Sequence, residues 1–156
     1  MTTTMTKPIL GGRIKFGYWF NLLHARLYRR IDLVITAFQL VMGSYVINGL
    51  IKEFTTVEAY VAAIVVLVGV AQQLLMLQAS KAIHQMAAND YLALEKDLDY
   101  IDCDTAAKRL YDLYSKYPDG LDCIQQLAHR IVDENFAPER QPRKLSTLAS
   151  IVDCIV

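Results

Sequence analysis

Charge is missing from two long stretches of this 156-residue chain. No Asp, Glu, Lys or Arg occurs within Leu33–Ile51 or within Ala59–Ser80, and only residues 52–58 separate the two stretches. An apolar helix of about 20 residues crosses the hydrocarbon core of a bilayer, because each residue adds ~1.5 Å along the helix axis. The pattern therefore predicts a membrane hairpin of two helices.

Enzyme signatures are also missing. The chain contains no Gly-x-Ser-x-Gly, no Walker loop, no His-Glu-x-x-His and no glycine-rich phosphate cradle. His24, His84 and His129 stand alone in separate helical segments, so we expect structural or interfacial roles for them. A membrane-embedded hydrolase would need paired carboxylates, a histidine cluster or a nucleophile beside the spans. We predict that the chain is not an enzyme and uses no cofactor.

One acidic run could in principle bind a divalent cation through oxygen ligands. It consists of Asp97, Asp99, Asp102 and Asp104, but it lacks the glycine and the closing glutamate of an EF-hand loop. The run also coincides with an expected helix end, where carboxylates cap the helix and are solvated. We therefore predict no metal site here.

Cysteine is scarce. Cys103, Cys123 and Cys154 all follow the second apolar stretch, without the Cys-x-x-Cys or Cys/His spacing of a metal site. We expect reduced thiols that fill small apolar spaces.

The formal net charge of zero hides a strong segregation of charge. Residues 1–32 carry six Lys or Arg against one Asp, whereas residues 81–137 carry six bases against eleven acids. Lys and Arg next to a span stay on the cytoplasmic side, and the first span is preceded by Lys15, Arg26, Arg29 and Arg30, against Lys52 alone in the loop. This asymmetry predicts an inner-membrane, multi-pass protein with both termini in the cytoplasm. Because 32 residues precede the first span, we expect a true anchor and not a cleaved signal peptide.

The segment before the first span has helical periodicity. Residues 1–12 are typical of a loose polar leader, and from Arg13 apolar residues recur every three or four positions. Aromatic rings and bases beside a span are typical of the headgroup region. The predicted membrane-interface anchors are Trp19, Arg26, Tyr28, Arg29 and Arg30. The helix either lies on the membrane or packs on the helices that follow the hairpin.

The chain after the second span is also helical. No Gly or Pro occurs from Ala79 to Ile101, so we predict that the second membrane helix continues as one long rod. Asp102 is a candidate N-cap for a further helix, and the last helix is expected from Leu145. The predicted fold is all-α: a transmembrane helical hairpin with an amphipathic N-terminal helix and a cytoplasmic helical bundle. The predicted parts are a leader and juxtamembrane helix (1–32), the hairpin (33–80), the bundle (81–137), and a linker with a C-terminal helix (138–156).

Polar residues within the two spans are candidates for function. Gln39 lies six positions after Leu33 and Gln73 six before Ala79, so both are expected ~9 Å into the membrane at ~1.5 Å per residue. Buried amides in hydrocarbon need partners or water, so these groups serve either as contacts between helices or as the lining of a pore. A pore would require an oligomer. The candidate polar residues are Gln39, Ser44, Asn48, Gln72 and Gln73, and the candidates for close helix packing are Gly43 and Gly69.

Three short motifs flank the hairpin. They are Trp19, His24, Arg26 and Tyr28 before it; Ala82, His84, Tyr91 and Leu94 after it; and Pro118, Leu121, Leu127, Ala128 and His129 further on. Together with the order of parts, these motifs resemble the SLATT domains, two-helix membrane modules of bacterial conflict systems. The resemblance implies a pore-forming effector that a sensor, often linked to a nucleotide, holds inactive. Since no sensor domain is fused here, the sensor would be a separate cytoplasmic protein.

Three hypotheses therefore follow from the sequence. The first is an oligomeric, pore-forming membrane effector of a bacterial conflict or defence system, controlled by a separate sensor. The second is a phage holin-like hole former, and the third is a non-conducting anchor or scaffold for a cytoplasmic partner. The expected partners are membrane lipids, further copies of the chain and a regulatory protein; no direct nucleic-acid binding is expected.

Overall fold

A computed structural model of the chain describes residues 6–52, 56–117, 120–136 and 144–155, with the side chains of residues 50–52 left out. Within these ranges the chain forms helices and no strand, which confirms the predicted all-α class. The six helices are α1 (Lys7–Lys52), α2 (Thr56–Leu74), α3 (Leu77–Asp97), α4 (Cys103–Lys116), α5 (Asp122–Phe136) and α6 (Thr147–Ile155).

The chain divides into two compact units. Residues 1–27 and 81–156 form one, here named the packed unit, and residues 28–80 form the other, here named the apolar unit. The first boundary falls inside α1, so this single helix of 46 residues contributes to both units.

The N-terminal part of α1 belongs to a hydrophobic core. Leu10 and Ile14 are fully buried and pack with Tyr91 of α3 and Leu110 of α4. Of the two arrangements that the sequence left open, this part of α1 therefore packs on the later helices. The expected loose leader over residues 1–12 is wrong from Lys7 onward, because burial of Leu10 offsets the low helix propensity of the two glycines that follow it.

The predicted continuous rod after the second span is interrupted. Helix α2 ends at Leu74 and α3 begins at Leu77, and Met76 has a φ of 46°, in the left-handed region. The Met76 N–H donates to the Gln73 carbonyl over 3.1 Å, a tighter turn than an α-helix makes. The helical pattern then resumes, since the Ser80 N–H donates to the Met76 carbonyl.

Polar contacts mark the start of α4 and connect α5 with α6 in the packed unit. Asp102 is the N-cap of α4, as predicted, because its carboxylate accepts the Thr105 N–H over 3.0 Å. Arg130 of α5 reaches Asp153 of α6 over 3.2 Å. Pro118, one of the residues of the resemblance, and residues 138–143 of the predicted linker lie outside the described residues.

Two glycines of α1 make a matched test of this packing. A methyl group at Gly17 would overlap the ring of buried Tyr91, whereas one at Gly12 would meet nothing within 4 Å. We expect Gly17→Ala to lower the free energy of unfolding by about 1–3 kcal/mol through overpacking. Gly12→Ala should instead raise it by up to about 1 kcal/mol through helix propensity. Chemical unfolding of the full chain in detergent measures both; equal effects would contradict the packing of α1 on α3.

Candidate functional site

The apolar surfaces of α1 and α2 are the most distinctive feature of the molecule. Among the described residues, two helical stretches are long and apolar enough to cross a membrane, one within Lys7–Gly49 and one within Thr56–Asp97. In the most apolar 18-residue window of each stretch, 0% and 6% of the window is buried. Leu40 and Leu67, for example, are 68% and 67% exposed. The core helix of a soluble domain would be mostly buried, and these two windows are not.

Two of the candidate glutamines make contacts inside the apolar unit. The Gln72 side-chain N–H donates to the Asp32 carboxylate over 2.6 Å. The Gln39 amide nitrogen would lie 3.3 Å from a methyl group at Gly69, so this glycine provides room for the Gln39 side chain. Gln39 therefore lies beside Gly69, about one helical turn from the expected level at Gln73.

The other candidate polar residues of the spans are exposed. The Ser44 hydroxyl donates to the Leu40 carbonyl of its own helix over 2.8 Å, while Asn48 and Gln73 present their amides on the surface. Of the two glycines predicted to allow close helix packing, Gly43 has open space beside it. A second molecule could therefore contact these residues, whereas Gln39 and Gln72 are half-buried between the two helices.

Sequence reasoning missed one glycine of the apolar unit. Gly49 is buried, and a methyl group there would overlap the side chain of Glu58 at the start of α2. Asp32, Gln39 and Gly49 follow one another along α1, and their neighbours in α2 follow in the reverse order: Gln72, Gly69 and Glu58. The two helices are therefore antiparallel. Gly49 carries no spacing signal in the sequence, because its role depends on the register between the two helices.

The predicted interface anchors differ in their surroundings. Arg26, Arg29 and Arg30 are exposed, as a headgroup contact requires, and Tyr28 is half-buried. Trp19 is half-buried in the packed unit, where its ring meets Tyr18 edge-on at 5.4 Å between centroids.

Two of the histidines that were expected to stand alone lie together in the packed unit. The rings of His24 in α1 and His84 in α3 stack with centroids 4.6 Å apart and planes 18° from parallel. Both side chains are buried. The expectation of separate histidines is wrong because helix periodicity contains no information on which faces of distant helices meet.

Hydrogen bonds assign the tautomer of each ring. His24 Nε2 accepts the Leu121 backbone N–H over 2.8 Å, so its proton lies on Nδ1, which donates to the Phe20 carbonyl. The Asn21 amide donates to the Gly17 carbonyl, which leaves its oxygen to accept the proton on His84 Nδ1 over 2.8 Å. His24 is therefore the neutral Nδ1–H tautomer, and His84 carries a proton on Nδ1.

Burial keeps both rings neutral. Loss of hydration lowers the pKa of His24 below its usual 6.5. Burial, reinforced by the adjacent His24, lowers the pKa of His84 to about 4. Gly120 is needed beside them, because a methyl group there would overlap the His24 and Phe20 rings.

A cavity of about 420 Å³ opens next to the histidine pair within the packed unit. Asp122 is the one charged residue of its described lining, and half of the lining residues are aromatic: Phe16, Phe20, Tyr91, Tyr114 and Tyr117. Phosphate binding favours Arg, Lys or clustered backbone N–H groups, so this lining does not suit a nucleotide.

Two of the four residues considered for metal binding have other partners. Asp97 accepts from Arg109 over 2.8 Å, and Asp102 caps α4. Within the described ranges no group of three His, Cys, Asp or Glu residues could hold a metal ion. Comparisons of the chain with protein-family models, curated proteins and solved structures gave no match.

Proposed function

We propose that this chain is an inner-membrane protein whose apolar unit crosses the bilayer as a two-helix hairpin, with both termini in the cytoplasm. The observation that carries the proposal is the exposure of the two apolar windows, 0% and 6% buried, because lipid is the solvent that such surfaces match. The basic residues Arg26, Arg29 and Arg30 before the first span support the orientation.

We further propose that the hairpins associate into a homo-oligomer. Asn48 and Gln73 are exposed polar residues on mostly apolar stretches of α1 and α2, and Gly43 leaves a small surface beside Ser44. Polar groups in hydrocarbon find partners across helices, and small residues let backbones approach closely. A second copy of the chain supplies both.

The function that we propose for this assembly is a pore-forming effector of a bacterial conflict system, released by a separate cytoplasmic sensor. The resemblance to SLATT domains supports it, and three of the residues that carry that resemblance lie in one part of the packed unit: His24 stacks on His84, and Leu121 donates to His24. A separate sensor also agrees with a cavity whose described lining contains no base for a nucleotide phosphate.

A non-conducting membrane anchor is the second candidate. It is favoured by the hydrogen bond from Gln72 to Asp32 and by the position of Gln39 beside Gly69, because the Gln72 amide has its partner, and the Gln39 side chain its space, inside one chain and without a pore. In this function the exposed Asn48 and Gln73 would only join copies of the hairpin.

Electrical recording from purified protein in planar bilayers separates the two candidates. We expect discrete conductance steps, and we expect Asn48→Leu with Gln73→Leu to reduce the conductance several-fold while leaving membrane insertion intact. Gln85→Leu, which changes an exposed amide of α3 outside the apolar unit, is the matched control and should conduct like the wild type. Flat traces from well-formed oligomers would reject the pore and leave the anchor.

A further inference from the structure

We propose that His24 and His84 form an acid-sensitive latch that holds the start of α5 against α1. His24 connects three helices of the packed unit: it belongs to α1, stacks on His84 of α3, and accepts the N–H of Leu121, the residue directly before α5. The latch is a property of the packed unit and holds whether or not the assembled protein conducts ions.

Protonation would remove the contact to α5. A proton added to His24 enters at Nε2, because Nδ1 already carries one. The Leu121 N–H would then face another N–H donor, and the hydrogen bond at 2.8 Å would be lost. A positive charge would also lie against the second ring, 4.6 Å away.

Among the described residues, the charged groups closest in sequence to the two rings, or lining the cavity beside them, do not favour an imidazolium ion. The nearest charged residues along α1 and α3 are bases, Arg26 and Lys81. At the start of α5, Asp122 lines the neighbouring cavity but is exposed to solvent, where its charge is screened. Tyr114 and Tyr117 of the α4 segment line the same cavity and are neutral at physiological pH.

The direction of the pH effect follows from the lowered pKa values of both rings. A histidine whose pKa is lower in the closed state than in the open state takes up a proton on opening, so the closed state is favoured above the usual pKa of about 6.5. The latch weakens as the pH falls from about 6.5 toward the pKa of about 4 of His84. Between pH 7.5 and 5.5 the opening equilibrium constant should rise about tenfold for one such histidine and up to about 100-fold for two.

Hydrogen exchange of the α5 amides in the full chain in detergent tests the latch, after correction for the intrinsic pH dependence of exchange. We expect the opening constant of α5 to rise at least about tenfold from pH 7.5 to 5.5. The double variant His24→Gln and His84→Asn places amides near the bonded ring nitrogens without a titrating group, and should lose this dependence. His129→Gln is the control, since that histidine stacks on Phe16 outside the pair, and should keep it.

The outcomes are distinct. A wild-type change below twofold, or an unaltered dependence in the folded double variant, would overturn the latch. If the double variant does not fold at pH 7.5, NMR titration of the wild-type histidines decides instead. Assigned titration midpoints below pH 6 for both His24 and His84 support the proposal, and a midpoint at or above pH 6 for either of them overturns it.

Discussion

Replacing Val66 with Arg is expected to release a large fraction of the protein from the membrane. Val66 lies near the middle of α2 and is 64% exposed. If lipid surrounds this helix, an arginine at its centre costs about 2.5–3.5 kcal/mol of insertion free energy. If water surrounds it, a substitution at so exposed a position changes stability by only about 0.5 kcal/mol or less. The fraction that resists alkaline carbonate extraction measures the difference.

Met86→Arg is the matched control for this experiment. Met86 is 57% exposed on α3 in the packed unit, so the same apolar-to-arginine change there should leave extraction unchanged. If the two variants resist extraction to the same extent, the exposed surface of α2 does not contact lipid.

Leu110→Ala should destabilise the packed unit by about 2–5 kcal/mol, because it removes buried atoms and leaves a cavity. Leu110 is 1% exposed and belongs to the core that Leu10 and Ile14 of α1 complete. Denaturant unfolding of the full chain in detergent, followed by the fluorescence of Trp19, the one tryptophan of the sequence, measures the loss. Trp19 lies in the packed unit, so it reports on the part that changes.

The same substitution on the surface provides the control. Leu148 is 69% exposed on α6, and Leu148→Ala is expected to change the free energy of unfolding by less than about 0.5 kcal/mol. A loss at Leu148 as large as that at Leu110 would contradict the core described here.

Local chemistry made several elements predictable from the sequence. Runs without charge indicated two apolar helices, and Asp102 with Thr105 indicated the start of α4, because capping depends on residues three positions apart. The break at Leu75–Met76 was not predicted, because local chemistry gives no signal for it. The local sequence has no Gly or Pro, and Met76 is an unusual residue for a positive φ.

Contacts between distant residues were not predictable from periodicity. The depth of Gln39 and Gln73 was matched by counting from helix ends, and the actual contact of Gln39 with Gly69 differs by about one turn because side-chain packing decides the register. His24 and His84 are 60 positions apart, and their stacking depends on which faces of α1 and α3 meet. The common feature that could have suggested a pair is their placement just outside the two apolar stretches, on the same expected side of the membrane.

Cysteine labelling in intact bacterial spheroplasts tests the central claim, that the apolar unit threads the membrane twice and leaves both termini inside. Two single-cysteine chains are needed: one keeps Cys154, exposed on α6, and the other carries Thr56→Cys, exposed at the start of α2, each with the remaining cysteines changed to serine. A membrane-impermeant maleimide should label the position at 56 in intact spheroplasts and Cys154 only after permeabilisation. Labelling of Cys154 in intact spheroplasts, or protection of position 56 there, would contradict the account.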